Sequence, residues 1–401
     1  MMRTAGFFWQ KNGKILAVIL VTACCLAPAA AAGTAPPDAW HRIFDGSEFV
    51  LYSVISRADG SYVAGGEAGL GAAVVFLNAS GYPERVAYVR ATTGSAAIIW
   101  ARETADGGLL LVSDTQELIA TDNAGKPRWS YPAPENLRLQ AIDAGGEGAV
   151  LAFDDGVAQV TSVSGDGSER WSRQFAGSAD GATLALRSIR AQPGGGIVAG
   201  GYAVVGTGTE GVLLGTDRDG NRLFEWRYPD LAAIPAVAVR GDGGYAFCGY
   251  APSGDAIGDV PVLASVGAGG DLQWQRPLAG YCSACSVIVP HRDGGYLLAG
   301  ALPVAPGGRS GGDVLLRTDS LGTVLWSRAV PGGVISSVQQ APDGGYVIGG
   351  ISTAEGGDRA ASFLLKIEPE TSTTPAAAGS WVVLAAGICA ALLAAGLRRR
   401  R

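Results

Sequence analysis

Positive charge is scarce in the central part of this 401-residue sequence. Residues 33–380 carry 23 basic and 36 acidic side chains, a net charge of −13, because seven of the 30 basic residues lie in the two terminal segments. A nucleic-acid partner requires a basic face that neutralises phosphates. The charge balance therefore argues against nucleic acid as a partner.

Long hydrophobic runs are confined to the two ends. Residues 1–32 combine basic residues, an apolar stretch at 15–26 and the small-residue sequence APAAAAG. This order is typical of a secretory signal peptide, cleaved near Ala32. The sequence VTAC, which ends at Cys24, also resembles a bacterial lipobox and would instead leave a lipidated Cys24.

The second hydrophobic run, residues 381–397, predicts a single transmembrane helix. Its 17 uncharged residues just span the hydrocarbon core of a bilayer at about 1.5 Å per residue. The arginines at 398–401 form a basic tail that stays cytoplasmic by the positive-inside rule. Residues 371–380 are predicted to form a linker or stalk. The expected location is the cell membrane, single-pass, with the central part of the chain extracytoplasmic.

Cysteine and histidine are also few. Between residues 33 and 380 the cysteines are Cys248, Cys282 and Cys285, and the histidines are His41 and His291. Neither histidine has the spacing of a catalytic triad. Outside the cytoplasm, three cysteines predict one structural disulfide and one remaining thiol, with the pair left open. A zinc site with His291 as fourth ligand is disfavoured, because His291 is expected at the far end of its strand.

Glycine, with 61 residues, is abundant and marks an internal repeat. One motif, written for example as DGGYLLAGA, occurs seven times, and its first glycine recurs at spacings of 38 to 51 residues. A period in the forties, with several short strands per unit, is typical of β-propellers. The repeat therefore predicts seven blades within residues 38–370.

Each repeat predicts four strands. An apolar segment leads into the Asp-Gly-Gly turn, a second strand and a Gly/Ser-rich loop follow, and a second turn separates the third strand from the fourth. The first repeat has no fourth-strand tryptophan, and Tyr88 is expected to take that place. Elsewhere the fourth strands carry aromatics expected to pack between blades: Trp40, Trp129, Trp171, Trp226, Trp274 and Trp326.

The strand count predicts how the ring closes. The seventh repeat ends after its third strand, where SFLLKIEPE at 362–370 runs into the linker. A leftover strand, AWHRIF at 39–44, precedes the first repeat. Joining the two avoids unpaired strand edges. The predicted fold is all-β: a seven-bladed β-propeller of four-stranded blades, closed by the N-terminal strand, plus a C-terminal transmembrane helix.

The sequence LLLVSDTQELIATDNAGKPRWSY at 109–131 resembles the quinoprotein-type (PQQ-like) propeller repeat, which pairs a D-G-x-L hairpin with G-K-x-x-W. The later repeats resemble the DGGY repeats of secreted and membrane-anchored prokaryotic proteins. The resemblance covers roughly residues 38–370 and implies a propeller. Quinone-dependent dehydrogenases of this kind usually have eight blades, a calcium ion and often an adjacent-cysteine disulfide. Here the adjacent pair, Cys24 and Cys25, lies in the signal peptide, so no cofactor and no enzyme activity are expected.

Three short motifs have simpler interpretations. GTGTEG at 206–211 and GRSGG at 308–312 link strands, so neither offers the helix that phosphate binding or a nucleophile elbow requires. TDRDGN at 216–221 resembles a calcium loop but lacks its glycine and glutamate, which favours a hairpin turn. The triplet NAS makes Asn78 a candidate for N-glycosylation in an exposed turn.

The sequence thus favours a non-catalytic binding module at the cell surface. Its partner, an unidentified protein or glycan, is expected on the face formed by the crossover loops and the second-to-third-strand loops. Two alternatives stay open: an extracytoplasmic enzyme, either a hydrolase or a quinone-dependent oxidoreductase, and an envelope assembly or structural factor. Convergent carboxylates, a metal or a cofactor-sized pocket on the central axis would favour an enzyme.

Overall fold

The computed structural model describes residues 33–370, apart from short segments at 46–47, 70, 91–93, 95, 136, 146–147, 155–156, 178–181, 253–258, 304–310 and 353–360. The predicted signal peptide, linker, transmembrane helix and basic tail all lie outside the described residues. Within the described part, no helix is long and apolar enough to cross a membrane.

Every strand of the described residues belongs to one of seven four-stranded antiparallel sheets, and each sheet is one blade. The first strand in the chain is β1 (Asp38–Phe44). Blade 1 follows with β2 (Phe49–Ser56), β3 (Tyr62–Ala68), β4 (Gly71–Leu77) and β5 (Pro83–Tyr88). Blade 2 has β6 (Ile98–Glu103), β7 (Leu109–Ser113), β8 (Leu118–Thr121) and β9 (Pro127–Tyr131). Blade 3 has β10 (Arg138–Gly145), β11 (Gly148–Asp154), β12 (Ala158–Ser164) and β13 (Glu169–Phe175).

The second half of the chain repeats this arrangement. Blade 4 has β14 (Thr183–Ala191), β15 (Ile197–Val205), β16 (Gly208–Thr216) and β17 (Arg222–Tyr228). Blade 5 has β18 (Ala233–Val239), β19 (Tyr245–Ala251), β20 (Val260–Val266) and β21 (Leu272–Pro277). Blade 6 has β22 (Val287–Pro290), β23 (Tyr296–Ala301), β24 (Gly312–Thr318) and β25 (Val324–Pro331). Blade 7 has β26 (Gly333–Gln340), β27 (Tyr346–Ser352) and β28 (Ala361–Ile367), with β1 as its fourth strand.

The N-terminal strand closes the ring, as the strand count predicts. Strand β1 pairs antiparallel with β28, with Trp40 opposite Lys366 and Phe44 opposite Ser362. The inner strands of blades 7 and 1 are joined as well, because Ser337 Oγ donates to Val54 O at 3.3 Å. Strand β28 therefore has a partner on both sides, and neither of its edges is left unpaired.

The Asp-Gly-Gly part of the repeat is explained by the first hairpin turn. In blade 6, Asp293 Oδ1 accepts a hydrogen bond from Gly295 N at 2.9 Å. Gly294 has a φ of 87°, which side chains rarely tolerate. A Cβ atom on Gly295 would overlap with Thr318 O on the third strand. Each residue of this turn is thus required for a different reason: Asp293 accepts a hydrogen bond, Gly294 permits a positive φ, and Gly295 leaves room for a backbone oxygen.

The glycines of the second strands are explained by bulges in the first strands. In blade 4 the pairing of β14 with β15 shifts register between Leu186 and Ser188. The bulge pushes Ala185 O towards Gly201, where a Cβ atom would overlap with it. Two other blades show the same close approach of a first-strand carbonyl oxygen, at Gly66 and Gly350, whereas Gly300 of blade 6 meets Ala284 O, which lies just before β22.

Fourth-strand aromatics join each blade to the next. In blade 3, Trp171 Nε1 donates to Arg218 O at 2.9 Å, and its ring covers Gly220 in the third-to-fourth-strand turn of blade 4. Trp40 and Trp129 make the same contact, to Ala79 O at 3.0 Å and Gly165 O at 2.7 Å. The predicted tryptophans Trp274 and Trp326 lie against Gly322 and Glu370 respectively.

Two of these positions depart from the common pattern. Trp226 lies two residues further along its strand than Trp171 does, because Phe224 stands opposite Gly215 and stacks on Trp226 with ring centroids 3.7 Å apart; the Trp226 ring still covers Gly270 in the third-to-fourth-strand turn of blade 5, as predicted. Tyr88 is wrong as the substitute in blade 1, since it is 64% exposed. Arg85 takes that place and donates to Ala124 O at 2.7 Å. A guanidinium offers both a flat surface and an N–H donor, the two properties of indole used here.

The tyrosine of the repeat belongs to the same interface. Tyr62 meets Trp40 edge-on, with ring centroids 5.2 Å apart. Tyr296 lies 6.5 Å from Trp274 between blades 5 and 6. Burial raises the pKa of Tyr62 to about 12, so this ring stays neutral over the whole physiological range. In these blades, therefore, the tyrosine of one repeat packs against the tryptophan of the preceding blade.

The strand glycines give the first prediction. We expect Gly201→Ala to destabilise the protein by about 1–3 kcal/mol, because the added methyl group must displace backbone on a neighbouring strand. Gly241→Ala is the matched control, since nothing lies within 4 Å of its Cβ position and its φ is not positive. Urea unfolding followed by tryptophan fluorescence measures both. Equal effects of the two substitutions would contradict the bulge explanation.

Ring closure gives the second prediction. We expect Trp40→Ala to cost at least about 2 kcal/mol, because burying a whole tryptophan contributes about 3–5 kcal/mol and Trp40 is half-buried. Ile43→Ala on the same strand should cost less than about 0.5 kcal/mol, since Ile43 is 66% exposed. Thermal unfolding measures both variants. If Ile43→Ala proved as damaging as Trp40→Ala, the Trp40 contact would not be what secures the closing strand.

Candidate functional site

The three cysteines lie between blades 5 and 6. Cys248 and Cys285 form a disulfide, with Cα atoms 6.0 Å apart, that joins β19 to the crossover before β22. Cys248 lies inside β19, opposite Leu263, rather than at the end of the strand as predicted. Cys282 is a buried free thiol, and burial raises its pKa to about 11. Among the described residues no cluster of His, Cys, Asp or Glu could hold a metal ion.

This disulfide gives the third prediction. We expect Cys285→Ala to cost about 2–4 kcal/mol, because the bridge closes a sequence separation of 37 residues. Cys282→Ala should cost clearly less, since it removes a small buried group and no cross-link. Thermal melts with and without reductant test this, and reductant should affect the wild type but not Cys285→Ala. A larger loss for Cys282→Ala would show that the bridge does not stabilise this crossover.

Asn78 lies in the third-to-fourth-strand turn of blade 1. Its Oδ1 accepts hydrogen bonds from Ser80 N and Tyr82 N, both at 3.0 Å. Asp217 holds the corresponding turn of blade 4 through Asp219 N and Asn221 N, both at 2.9 Å. Both side chains thus have a structural role in a turn, and glycosylation of Asn78 stays a prediction.

Several buried cations are also structural. Arg317 is fully buried and donates to Glu370 Oε1 at 2.8 Å, and it forms an ion pair with Asp293 in the first turn of the same blade. Lys366 takes the equivalent place in blade 7, where its Nζ lies 2.7 Å from Asp343 Oδ2. These groups satisfy one another, so they are not candidates for a binding site.

A cavity of about 500 Å³ lies on the propeller axis. Its walls come from the first strands of six blades, β2, β6, β10, β14, β22 and β26. The lining residues cluster in the half of each strand that approaches the Asp-Gly-Gly turn. This end is opposite to the face predicted to bind a partner, which carries the crossover loops. The volume is in the range of small-molecule sites.

Charged side chains converge on this cavity from blades 2, 3 and 4. Asp143 pairs with Arg102 and also accepts a hydrogen bond from Ala191 N at 3.0 Å. Arg190 donates to its neighbouring carbonyl oxygen, Ile189 O, at 2.9 Å. Burial lowers the pKa of Arg190, Asp143 raises it, and the second cation Arg102 lowers it again. Asp143 thus pairs directly with Arg102 and attracts Arg190 only from beyond ion-pairing distance.

The other carboxylate in the wall is also engaged. Glu103 Oε1 lies 3.2 Å from Nε of Arg57. Across the cavity, Gln339 Oε1 accepts from Ser56 N at 3.3 Å. Since both carboxylates have arginine partners, they do not form a pair of which one could act as acid and the other as base. The wall is completed by apolar side chains such as Trp100.

Comparison with known proteins shows the fold and no family. No family model and no curated protein matches the sequence. The structure is similar to the RRP9 WD40 repeats, with 11% identity over 84% of this chain and 99% of that one and a TM-score of 0.58. It is also similar to the Neurospora crassa Pan2 WD40 domain, with 11% identity over 82% and 98% and a TM-score of 0.51. BamB from Moraxella catarrhalis matches at 15% identity over 79% and 86%, with a TM-score of 0.46.

At these identities the likeness concerns the β-propeller alone, because propellers host unrelated activities. The similarity to quinoprotein-type repeats at 109–131 therefore stays a hypothesis about sequence, and what this chain binds has to be argued from its own residues.

Sequence reasoning did not identify Arg102, Asp143, Arg190 or Gln339. A signal existed, because polar residues recur just before the repeated turn in RETADGG, IRAQPGGG and VQQAPDGG. Those positions vary in residue type, however, and only the bulges of the first strands decide which of them face the axis.

Proposed function

We propose that this chain is a non-catalytic binding module whose ligand enters the axial cavity. One observation carries the proposal: a cavity of about 500 Å³ offers apolar and hydrogen-bonding walls while both of its carboxylates are paired with arginines. Such walls can hold a ligand but provide no free acid–base pair. The partner would be a protein or a glycan that reaches the end of the propeller where the Asp-Gly-Gly turns lie.

The proposal places the propeller outside the cytoplasm, anchored in the membrane by residues 381–397. The disulfide between Cys248 and Cys285 supports this location, because such bonds persist in oxidising compartments. The net charge of −13 between residues 33 and 380 suits a soluble, exposed domain with no nucleic-acid partner.

Site-specific photo-crosslinking in cells that make the protein tests this function. A photoreactive residue at Ser336, an exposed position in the cavity wall, should give a discrete adduct with an envelope component. The same residue at Leu223, 65% exposed on the outer strand of blade 4, should not. Indistinguishable adducts at both positions would contradict a specific axial site.

Catalysis is tested separately. With calcium and PQQ added, the purified protein should show no dye-linked oxidation of alcohols or sugars. Oxidation that disappears in Asp143→Asn would overturn the non-catalytic function and favour a quinone-dependent enzyme.

A further inference from the structure

Three arginines and two carboxylates lie in or beside the axial cavity, inside an acidic domain. Arg102 pairs with Asp143 and Arg57 with Glu103, so neither carboxylate is left to pair with Arg190. Among the described residues no carboxylate lies within ion-pairing distance of Arg190, whose side chain donates to the neighbouring carbonyl oxygen Ile189 O. Since Arg190 is partly buried and has no carboxylate partner, an anion in the cavity would form a favourable ion pair with it.

The free donors of Arg190 suit a particular kind of anion. A guanidinium presents a planar fork of N–H groups that matches the two oxygens of a carboxylate. One N–H of Arg190 is used by Ile189 O, which leaves its remaining N–H groups for a ligand. Across the cavity, Gln339 uses its Oε1 on Ser56 N, and its Nε2 has no acceptor in the described part of the chain. The two opposite walls can thus both donate to an acceptor group.

The other residues that line the cavity indicate the polarity of the rest of the ligand. Partly buried apolar side chains from three blades line the wall, including Trp100, Ile142 and Val289. The cavity therefore offers an aromatic and aliphatic surface beside the arginines. A highly charged ligand such as a polyphosphate would make no favourable contact with this apolar surface. A ligand with one carboxylate on an apolar body would contact both the arginine and the apolar wall.

We infer that the axial cavity binds an organic carboxylate with an apolar body, and that Arg190 is the residue that recognises its carboxylate group. This inference rests on the proposed function and names its ligand class. The carboxylate belongs either to a free organic acid or to the C-terminus of a polypeptide that ends in an apolar residue. Asp143 acts as a positioning residue, because it holds Arg102 and the backbone of Ala191 beside the ligand.

Calorimetry on the full-length protein tests the inference with 3-phenylpropanoate and its neutral amide as probes. The acid should bind at least tenfold more tightly than the amide, and this preference should disappear in Arg190→Gln. Arg173→Gln is the matched control, since Arg173 also donates to a neighbouring carbonyl oxygen, Ser172 O at 3.1 Å, but is exposed on β13. It should keep the full preference for the acid.

Equal binding of acid and amide by the wild type, or an unchanged preference in Arg190→Gln, would overturn the inference. If Arg190→Gln does not fold, Arg190→Lys takes its place. Lysine keeps the charge but lacks the planar fork of N–H groups, so the preference for the acid over the amide should fall at least threefold. An undiminished preference would overturn Arg190 as the recognition residue.

The source of the carboxylate is distinguished by a second pair of probes, acetyl-Gly-Gly-Phe with a free C-terminus and its C-terminal amide. Tenfold tighter binding of this peptide acid than of 3-phenylpropanoate assigns the site to a polypeptide terminus, and the reverse assigns it to a free acid. A crosslinked partner at Ser336 without any carboxylate preference would overturn this inference and leave the binding function standing. Carboxylate binding without a crosslinked partner would support the inference and overturn a macromolecular partner.

Discussion

The contact on which the propeller depends is the one between a fourth-strand side chain and the third-to-fourth-strand turn of the next blade. A single unit of a repeat architecture cannot bury its apolar faces alone, so each blade depends on its neighbours. Indole serves this contact well, because one flat group covers the turn glycine while its N–H satisfies a turn carbonyl oxygen, as Trp171 does with Gly220 and Arg218. The repeat is therefore best understood as a set of interfaces between blades, in which the motif tyrosine and the tryptophan meet although they belong to different units.

This constraint explains which parts of the fold could be predicted from sequence. Turn glycines and strand glycines are dictated by backbone geometry that every blade shares, so they recur at a regular period and reveal seven units. The leftover strand before the first repeat then predicts closure. The strand position of the side chain that contacts the next blade is less regular. Arg85 donates to the next blade's turn where other blades use an indole, and Trp226 covers its turn glycine from a position two residues further along the strand, with Phe224 stacked on it.

The candidate site was harder to predict for a related reason. The first strands carry bulges, so a simple alternation of inward and outward side chains does not give the residues that face the axis. Arg102, Asp143 and Arg190 come from three consecutive blades and are brought together only when those blades pack side by side. The disulfide was predicted only in part, because three cysteines near one crossover allow more than one pair. The structure pairs Cys248 with Cys285 and leaves Cys282 as the free thiol.

The position of β28 has a mechanical consequence. The last strand of the propeller is not an edge strand, since it lies between β27 and β1, and Glu370 just beyond it is held by Arg317 and Trp326 of blade 6. A pull on the chain at residue 370 along the strand direction would load two hydrogen-bonded ladders in shear at the same time, instead of peeling one ladder bond by bond. Because the first strand pairs beside the last, β28 is held by a strand on each side.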